Sequence, residues 1–190
     1  MTSADLVRTM ADRLRDTKLV VVANRQPYVH EKRVTERKGL KRLVLGQGEK
    51  VRIDWKQPAS GLVTALDPVM QACGGTWVAH GNGSGDLEAS DPSGRLAVPP
   101  DKPKYSLRRV WLKPQEETGY YYGVSNNALW PLCHIAYARP IFNQGDWRQY
   151  VAVNRRFADV VLEEIAGTRA IVFVQDYHYA LLPRFVKAVR

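Results

Sequence analysis

The stretch KLVVVANRQP, residues 18–27, joins a continuous apolar run rich in valine to an abrupt polar turn. An unbroken run of this kind is typical of a strand that is buried on both faces of a parallel sheet. Open α/β sheets bind ligands at the carboxyl ends of such strands, and Arg25 there could hold a phosphate through two parallel hydrogen bonds. Taken alone, Arg25 could equally end the strand at the surface without a ligand.

Two later segments repeat this arrangement of an apolar run followed by a polar turn. They are Thr76–His80 (TWVAH) and Ala170–Val174 (AIVFV). Helical patterns separate these strands, and Arg95–Val98 and Tyr105–Leu112 indicate two more strands. Strands that alternate with helices predict an α/β fold, here a Rossmann-like, mostly parallel sheet with flanking helices.

The regular spacing of apolar residues predicts three longer helices. The first, Ala4–Arg15, forms an N-terminal helical extension over residues 1–17. The second begins at Ser60-Gly61 and ends at Gly74-Gly75, where the glycines permit the helix to stop. The third, Asp146–Ala166, opens with the Asp-x-x-Gln form of a capping box. The predicted apolar face of the second helix comprises Leu62, Ala65, Leu66, Val69 and Met70.

A basic excursion interrupts this pattern after the first strand. Nine Lys or Arg residues and three acidic residues lie in residues 32–56, so this segment supplies +6 of the net charge of +9. Short alternating pieces predict an antiparallel hairpin insertion of two or three strands. The excursion could face water, or it could bind an anionic metabolite or a partner. It lacks the interleaved aromatics that stack on single strands, so we do not expect nucleic acid as a partner. The alternating pieces are Tyr28–Val34, Leu40–Leu45 and Lys50–Trp55.

The bulk composition is that of an ordinary globular chain, with 190 residues of which 45% are hydrophobic and 25% are charged. No apolar run approaches the roughly 20 residues of a membrane span, and the first residues lack the apolar core of a signal peptide. We therefore expect a cytoplasmic protein without a membrane partner. Cys73 and Cys133 are the only cysteines, and neither they nor the four histidines have metal-ligand spacing. We predict no metal site and no cofactor.

The segment Gly119–His134, GYYYGVSNNALWPLCH, combines three tyrosines, a Ser-Asn-Asn run and a Leu-Trp-Pro run. It has no clean helix or strand period. Flat rings can cover the apolar faces of a sugar while Ser125, Asn126 and Asn127 answer its hydroxyl groups, which is the chemistry of a carbohydrate or nucleotide pocket. The alternative is that the tyrosines and Trp130 pack in the core, and the residue types alone leave both interpretations open.

Further polar or glycine-rich turns mark candidate ligand contacts. Gly61 would let a phosphate approach the amino end of its helix, where free N–H groups and the helix dipole favour an anion. The loop GNGSGD at residues 81–86 could cradle a substrate or could be a simple turn. After the last strand, Asp176 could accept sugar hydroxyls and His178 could donate to a phosphate, or the two could serve as a helix cap and a buried histidine.

Four motifs follow one another along the chain: NRQPY (24–28), SGL (60–62), YYYGVSNNALWP (120–131) and QDYH (175–178). Read in this order, they resemble those of the trehalose-6-phosphate synthase family of retaining glycosyltransferases. The resemblance covers most of the chain from Leu19 onward. It implies the N-terminal, acceptor-side Rossmann-like lobe of the two-lobed GT-B fold, here residues 18–190 with the hairpin inserted at about 28–56. Family members transfer glucose from a nucleotide sugar, usually UDP-glucose, to glucose 6-phosphate with retention at the anomeric carbon.

The resemblance also implies roles for five residues at positions that match these motifs. Arg25 would grip the acceptor phosphate together with the ring of Tyr121 and the indole of Trp130. Asp176, the implied catalytic residue, would hydrogen-bond the acceptor sugar near the reaction centre. Gly61 would approach the donor diphosphate. Binding of this kind would hold the acceptor for an oriented attack on the donor.

The partners implied by the resemblance are a nucleotide-sugar donor, a sugar-phosphate acceptor and the missing C-terminal lobe of the same enzyme. Because that lobe holds most of the donor diphosphate in the family, we expect this truncated lobe to be inactive alone. The acceptor could instead be glycerol 3-phosphate, as in relatives that make glucosylglycerol phosphate. A non-catalytic module that binds sugar phosphates is a further alternative, and the sequence leaves a homo-oligomer open.

Overall fold

A computed structural model of the chain describes residues 3–35 and 50–189. The strands in these residues are β1 (Lys18–Ala23), β2 (Val29–Thr35), β3 (Lys50–Lys56), β4 (Thr76–His80), β5 (Arg95–Val98), β6 (Tyr105–Val110) and β7 (Ala170–Val174). The α-helices are α1 (Ser3–Arg13), α2 (Gly61–Cys73), α3 (Asp86–Ala89), α4 (Pro114–Glu117), α5 (Trp130–Cys133), α6 (Gln144–Glu164) and α7 (Leu182–Lys187). A π-helix, Thr118–Leu129, lies between α4 and α5, and a 3₁₀ turn, Tyr177–Tyr179, precedes α7.

The main sheet contains five of the described strands in the order β5-β6-β4-β1-β7. Strands β1, β4, β6 and β7 run parallel, with Val20 of β1 opposite Thr76 on one side and Val172 on the other. Strand β5 pairs antiparallel with β6. The predicted α/β architecture with a mostly parallel sheet is confirmed. Because β1, β4 and β7 are parallel, the polar turns that follow them leave the sheet at one edge.

The central strand β1 is buried on both faces because its side chains alternate between two helical layers. Val20 and Val22 belong to the core that includes α6 and the π-helix. Leu19, Val21 and Ala23 belong to the core that includes α2. Removal of these apolar side chains from water on both faces is the main contribution that stabilises the sheet.

Strand β7 differs from its prediction because it is only partly buried, and on one face alone. Val172 and Val174 pack against the layer of α6, whereas Ile171 and Phe173 are 48% and 46% exposed. Among the described strands β7 pairs only with β1, so it forms an edge of the sheet. A continuous apolar run predicts a parallel strand correctly, but it does not distinguish an edge strand from a central one.

The predicted apolar face of α2 is wrong at Ala65, which is exposed, while Asp67 is buried instead. The reason is a set of hydrogen bonds to the carboxylate. The hydroxyl of Tyr28 donates to Asp67 at 3.2 Å, and the hydroxyl of Tyr105 donates to it as well. A buried carboxylate is tolerated when such donors satisfy it, so the helix face that carries it can turn toward the sheet.

Helix α6 begins two residues before its predicted start. The side chain of Asn143 caps it by accepting hydrogen bonds from the backbone N–H groups of Gly145 at 2.7 Å and Asp146 at 3.3 Å. The capping box predicted at Asp146 is therefore wrong, because Asp146 already lies within the first turn. The apolar spacing was predicted correctly. Buried residues on that face include Tyr150, Val153, Phe157 and Val161.

The basic insertion forms a separate two-stranded antiparallel sheet of β2 and β3, which confirms the predicted hairpin. The piece predicted at residues 40–45 lies outside the described residues. Cationic side chains on the two described strands lie at ion-pair distance from carboxylates, so much of the local charge is compensated. These pairs are Lys32–Glu88, Arg33–Asp54, Arg52–Asp54 and Lys56–Glu31.

Candidate functional site

The turns after β1 and β7 lie side by side at the carboxyl edge of the sheet, where open α/β sheets bind ligands. Arg25 lies two residues beyond β1, and Asp176 lies two residues beyond β7. The N–H of Gln175 donates to the carbonyl of Val22 at 2.8 Å, which extends the strand pairing to this edge. The carbonyl of Arg25 accepts from the indole N–H of Trp77 at 3.1 Å, while the Arg25 side chain is exposed.

Asp176 serves as a local cap and also presents a carboxylate at the edge. One carboxylate oxygen accepts from the N–H of Tyr177 at 2.7 Å, and the other lies 3.7 Å from Nδ1 of His178. Asp176 has a φ of +68°, which is uncommon for a residue other than glycine. Its side chain is 36% exposed. The capping interpretation is therefore correct for one oxygen, while the side chain as a whole is partly exposed.

His178 lies in a stack of aromatic rings. The ring of Tyr121 stacks on it with centroids 5.6 Å apart and 12° between the planes, and the ring of Tyr177 lies 4.8 Å from it at 28°. Burial lowers the pKa of His178; the carboxylate of Asp176 opposes this shift, and the charge of Arg25 adds to it. The imidazole is therefore neutral near pH 7, with one N–H donor and one acceptor nitrogen.

The aromatic segment has no 3.6-residue period because most of it forms a π-helix, in which backbone bonds join residues five apart. The N–H of Trp130 donates to the carbonyl of Ser125, and the hydroxyl of Ser125 donates to the carbonyl of Tyr120 at 2.9 Å. Short π-helical insertions are frequent at functional sites. Ser125 is fully buried, so it does not face a ligand as its residue type predicts.

The three consecutive tyrosines divide between the core and the surface. Tyr120 is fully buried, and its hydroxyl donates to the side-chain oxygen of Asn24 at 3.0 Å. Tyr121 is half-buried against His178, and Tyr122 is 54% exposed. The core interpretation is therefore confirmed for Tyr120, while the ligand-pocket interpretation stays a prediction for Tyr121 and Tyr122.

Trp130 is connected to the turn after β7 through the ring of His134. Its indole is 43% exposed and stacks on His134 with centroids 4.9 Å apart. The ring of His134 in turn meets the ring of Tyr177 edge-on at 6.2 Å. Four of the five predicted site residues therefore lie in or around this turn. They are Arg25, Tyr121, Trp130 and Asp176.

Gly61, the fifth predicted residue, is the first residue of α2 and does not take part in the ring cluster. The carboxyl end of α2 connects to the amino end of β4, so the helix runs antiparallel to the strand. Its amino end therefore lies toward the carboxyl edge of the sheet. A Cβ added at Gly61 would meet no atom of the described residues within 4 Å. Among those residues, the space beside Gly61 is therefore open.

The glycine-rich loop after β4 packs against protein. A Cβ at Gly81 would lie 2.4 Å from the ring of Trp111, and a Cβ at Gly83 would lie 2.4 Å from the carbonyl oxygen of His30. The N–H of Gly85 donates to the same carbonyl at 2.9 Å. These close approaches require glycine. The loop holds the hairpin against the sheet, which supports the simple-turn alternative over a substrate cradle.

A fully buried ion pair, which the sequence analysis did not predict, lies beneath this loop. Nη2 of Arg109 is 3.0 Å from Oδ1 of Asp86, and both side chains are 0% exposed. Arg109 also donates to the side chain of Gln26 at 2.9 Å and to the carbonyl of Tyr28 at 3.0 Å. Burial alone would raise the pKa of Asp86, but hydrogen bonds from His30 and Gln26 and the charge of Arg109 lower it to about 2. Through Gln26, this network of hydrogen bonds fixes the turn after β1 that contains Arg25.

Two further side chains, Tyr150 and Asn154 of α6, contact the turn after β7 and were not predicted as site residues. Asn154 is fully buried on the apolar face of its helix. A polar residue at a core position was the available signal in the sequence, because buried polar groups need hydrogen-bond partners.

Neither a membrane-spanning helix nor a cluster of metal ligands is found in residues 3–35 and 50–189. None of the helices there is long and apolar enough to cross a membrane. No three His, Cys, Asp or Glu side chains there form a group that could hold a metal ion.

The parallel sheet and the cluster at its carboxyl edge define a Rossmann-like α/β protein with a candidate ligand site where open sheets carry one. The chain belongs to glycosyltransferase family 20, whose family model matches residues 17–190.

Curated relatives support this assignment over nearly the whole chain. The trehalose-6-phosphate synthase of Mycobacterium ulcerans (strain Agy99) is 36% identical over 176 residues, which cover 92% of this chain and 31% of the relative. That of Mycobacterium tuberculosis (strain ATCC 25618 / H37Rv) is 35% identical over 175 residues, which cover 92% of this chain and 32% of the relative. The chain thus spans about a third of the length of these relatives.

Solved structures of trehalose-6-phosphate synthases share the fold. The Escherichia coli protein bound with UDP-2-fluoro glucose has a TM-score of 0.59 and 23% identity, covering 91% of this chain and 30% of that one. The Burkholderia xenovorans protein in complex with glucose-6-phosphate has a TM-score of 0.60 and 21% identity, covering 90% of this chain and 30% of that one. These likenesses establish a common architecture.

Proposed function

We propose that this chain is the N-terminal, acceptor-side lobe of a retaining glycosyltransferase that acts in the cytoplasm. The enzyme transfers glucose from UDP-glucose to glucose 6-phosphate and forms trehalose 6-phosphate. The observation that carries the proposal is an arrangement at the carboxyl edge of the sheet, where the turns that contain Arg25 and Asp176 lie side by side. Tyr121 stacks on His178 of the second turn, and Trp130 reaches that turn through His134.

Each of these side chains offers a group that a phosphorylated sugar needs. The exposed guanidinium of Arg25 can bind a phosphate through two hydrogen bonds. The rings of Tyr121 and Trp130 can cover apolar sugar faces. The partly exposed carboxylate of Asp176 can accept hydrogen bonds from sugar hydroxyls and orient the attacking hydroxyl group, which lowers the entropic part of the barrier.

The donor side of the proposal rests on Gly61 and on the length of the relatives. Open space at the start of α2 would admit the diphosphate of a nucleotide sugar, which the helix dipole stabilises. A second lobe would supply the remaining diphosphate contacts. We therefore expect the 190-residue chain alone to bind the acceptor but not to turn over.

The relatives support the substrate classes. A solved relative from Escherichia coli is bound with UDP-2-fluoro glucose, and one from Burkholderia xenovorans is in complex with glucose-6-phosphate. Both share the architecture of this lobe.

The acceptor assignment is tested by titrating glucose 6-phosphate against the full-length protein and its variants. Arg25→Ala and Trp130→Ala should each weaken binding about tenfold or more, because each removes a direct contact. Arg52→Ala and Trp55→Ala are matched controls on the hairpin, with Arg52 77% exposed in its side chain and Trp55 41% exposed. Equal affinity in the site variants and the control variants would contradict the assignment.

The donor assignment is tested by Gly61→Ala in the full-length protein. A methyl group there meets no atom of residues 3–35 and 50–189 within 4 Å, so the free energy of unfolding should change little. Turnover with UDP-glucose should fall about tenfold or more, because the methyl group would keep the diphosphate away from the helix terminus. Unchanged turnover would remove Gly61 from the donor site.

A product assay across UDP-, ADP- and GDP-glucose separates the donor alternatives. Glycerol 3-phosphate belongs in the acceptor panel, because a polyol phosphate could use the same arginine. Formation of glucosylglycerol phosphate in place of trehalose 6-phosphate would reassign the acceptor. Acceptor binding without any product would favour the non-catalytic module.

A further inference from the structure

The turn that carries Asp176 and His178 is attached to α6 by a tyrosine hydroxyl. The hydroxyl of Tyr150 donates to the carbonyl of Tyr177 and accepts from the N–H of Ala180 at 3.1 Å. Tyr150 is 1% exposed. Its single hydroxyl therefore joins two backbone groups on either side of His178.

The buried side-chain amide of Asn154, one helical turn after Tyr150, also bonds two backbone groups of this turn. Asn154 is 0% exposed and donates to the carbonyl of His178 at 3.2 Å and to the carbonyl of Tyr150 at 2.9 Å. Its oxygen accepts from the N–H of Leu181 at 3.2 Å. Residues four apart lie on one face of a helix, so Tyr150 and Asn154 act on the same turn.

The turn that these bonds hold directly follows a residue, Asp176, with an unfavourable backbone conformation. The φ of Asp176 is +68°, a conformation that costs free energy in a residue other than glycine and persists where surrounding contacts determine it. Core packing alone would not require either polar group, because a phenylalanine ring and a leucine side chain occupy similar space. Both polar groups instead bond the backbone of residues 177–181, which follows Asp176 directly.

We propose that Tyr150 and Asn154 are positioning residues, which hold the turn after β7 so that Asp176 and His178 face the acceptor. This inference rests on the proposed function of the site. It predicts that loss of either set of bonds weakens acceptor binding without a contact between α6 and the acceptor.

The test is Tyr150→Phe in the 190-residue chain, which deletes one oxygen atom and keeps the ring. The matched control is Tyr105→Phe, which deletes another buried hydroxyl, bonded to Asp67 in the other core of the sheet. Hydrogen exchange at the N–H of Ala180 reports the bond itself, and calorimetric titration with glucose 6-phosphate reports the consequence. Exchange at Ala180 should become about tenfold faster in Tyr150→Phe and stay unchanged in Tyr105→Phe.

The affinity for glucose 6-phosphate should fall about fivefold to tenfold in Tyr150→Phe and not in Tyr105→Phe. Asn154→Leu, of similar volume, should give the same loss of affinity and faster exchange at Leu181. Unchanged exchange at Ala180, or faster exchange with unchanged affinity, would overturn the positioning role. If the unaltered chain does not bind glucose 6-phosphate, the proposed acceptor is wrong, while the exchange data still decide whether Tyr150 fixes the turn.

Discussion

The ring of Tyr121 stacks on the imidazole of His178, with centroids 5.6 Å apart and 12° between the planes. These residues lie 57 positions apart along the chain, one in the π-helix and the other in the 3₁₀ turn after β7. The contact fixes the distance between the aromatic surface and Asp176. Through this contact, a change in the π-helix can alter the position of the turn after β7, and the reverse.

We predict that Tyr121 and His178 are energetically coupled. Aromatic pairs of this geometry contribute about 0.5–1.5 kcal/mol beyond their buried area. A double-mutant cycle of Tyr121→Ala and His178→Ala, measured by urea unfolding, should give a coupling free energy of about 1 kcal/mol. Trp55→Ala on the hairpin is the control, and its effect should add to that of His178→Ala within about 0.5 kcal/mol. Additive effects for the stacked pair would show that the contact contributes nothing.

Stability should fall as the pH is lowered from about 7 to about 5.5, in part because of His178. Burial lowers its pKa from the ordinary value of 6.5, so the unfolded chain takes up this proton at a higher pH than the folded chain does. The unfolded state then binds more protons, and each such histidine can reduce stability by at most about 1.4 kcal/mol per pH unit. His80, whose pKa burial also lowers, contributes in the same direction.

Urea unfolding at both pH values checks this pH dependence. His178→Gln should have a smaller pH slope than the unaltered chain, and the residual slope should include the contribution of His80. An unchanged slope in His178→Gln would mean that His178 titrates alike in the folded and unfolded chain.

The Asp86–Arg109 pair should be sensitive to loss of one partner. Arg109→Met leaves a buried carboxylate without its cation, which should lower the free energy of unfolding by about 3–5 kcal/mol. Adding Asp86→Asn should recover part of that loss. Arg15→Ala is the control, because the pair of Arg15 with Asp12 is exposed and should contribute less than about 1 kcal/mol. Similar losses for Arg109→Met and Arg15→Ala in urea unfolding would contradict the prediction.

Gly75, between α2 and β4, should not tolerate a side chain. Its φ is +99°, and a Cβ would lie 2.0 Å from the carbonyl oxygen of Leu19. Gly75→Ala should therefore lower the free energy of unfolding by about 3 kcal/mol or more, because the clash is with backbone. Gly167→Ala also places alanine at a positive φ, of +68°, but its methyl group meets no atom within 4 Å in the part of the chain that the structure describes. It should cost only about 1–2 kcal/mol in thermal or urea unfolding; equal losses would contradict the predicted clash.

The sequence alone was sufficient for the parts of the protein that local patterns encode. The runs at Lys18–Ala23, Thr76–His80 and Ala170–Val174 are strands with the predicted bounds. Continuous apolar residues leave few alternatives to a parallel strand between helices. Four motifs were also sufficient to predict the family, because their order and spacing carry more information than any one of them.

The π-helix could not be predicted from helical periodicity, because its hydrogen bonds join residues five apart. Asp67 of α2 and Asn154 of α6 lie on buried faces although both are polar. Their partners are far away in the chain, so no local window contains the reason for their burial. The same holds for the Asp86–Arg109 ion pair.

The sequence by itself determined the parallel α/β sheet, the basic hairpin and the family. Only the tertiary structure decided which rings are exposed, that β7 is an outermost strand of the described sheet, and how Tyr121 and Trp130 reach the turn of Asp176. Strands and helices follow from the chemistry of neighbouring residues, whereas a site depends on strand order and on side chains that meet across long separations. Parallel pairing of β1 with β7 brings Arg25 and Asp176 to the same edge, and that pairing is a property of the folded chain.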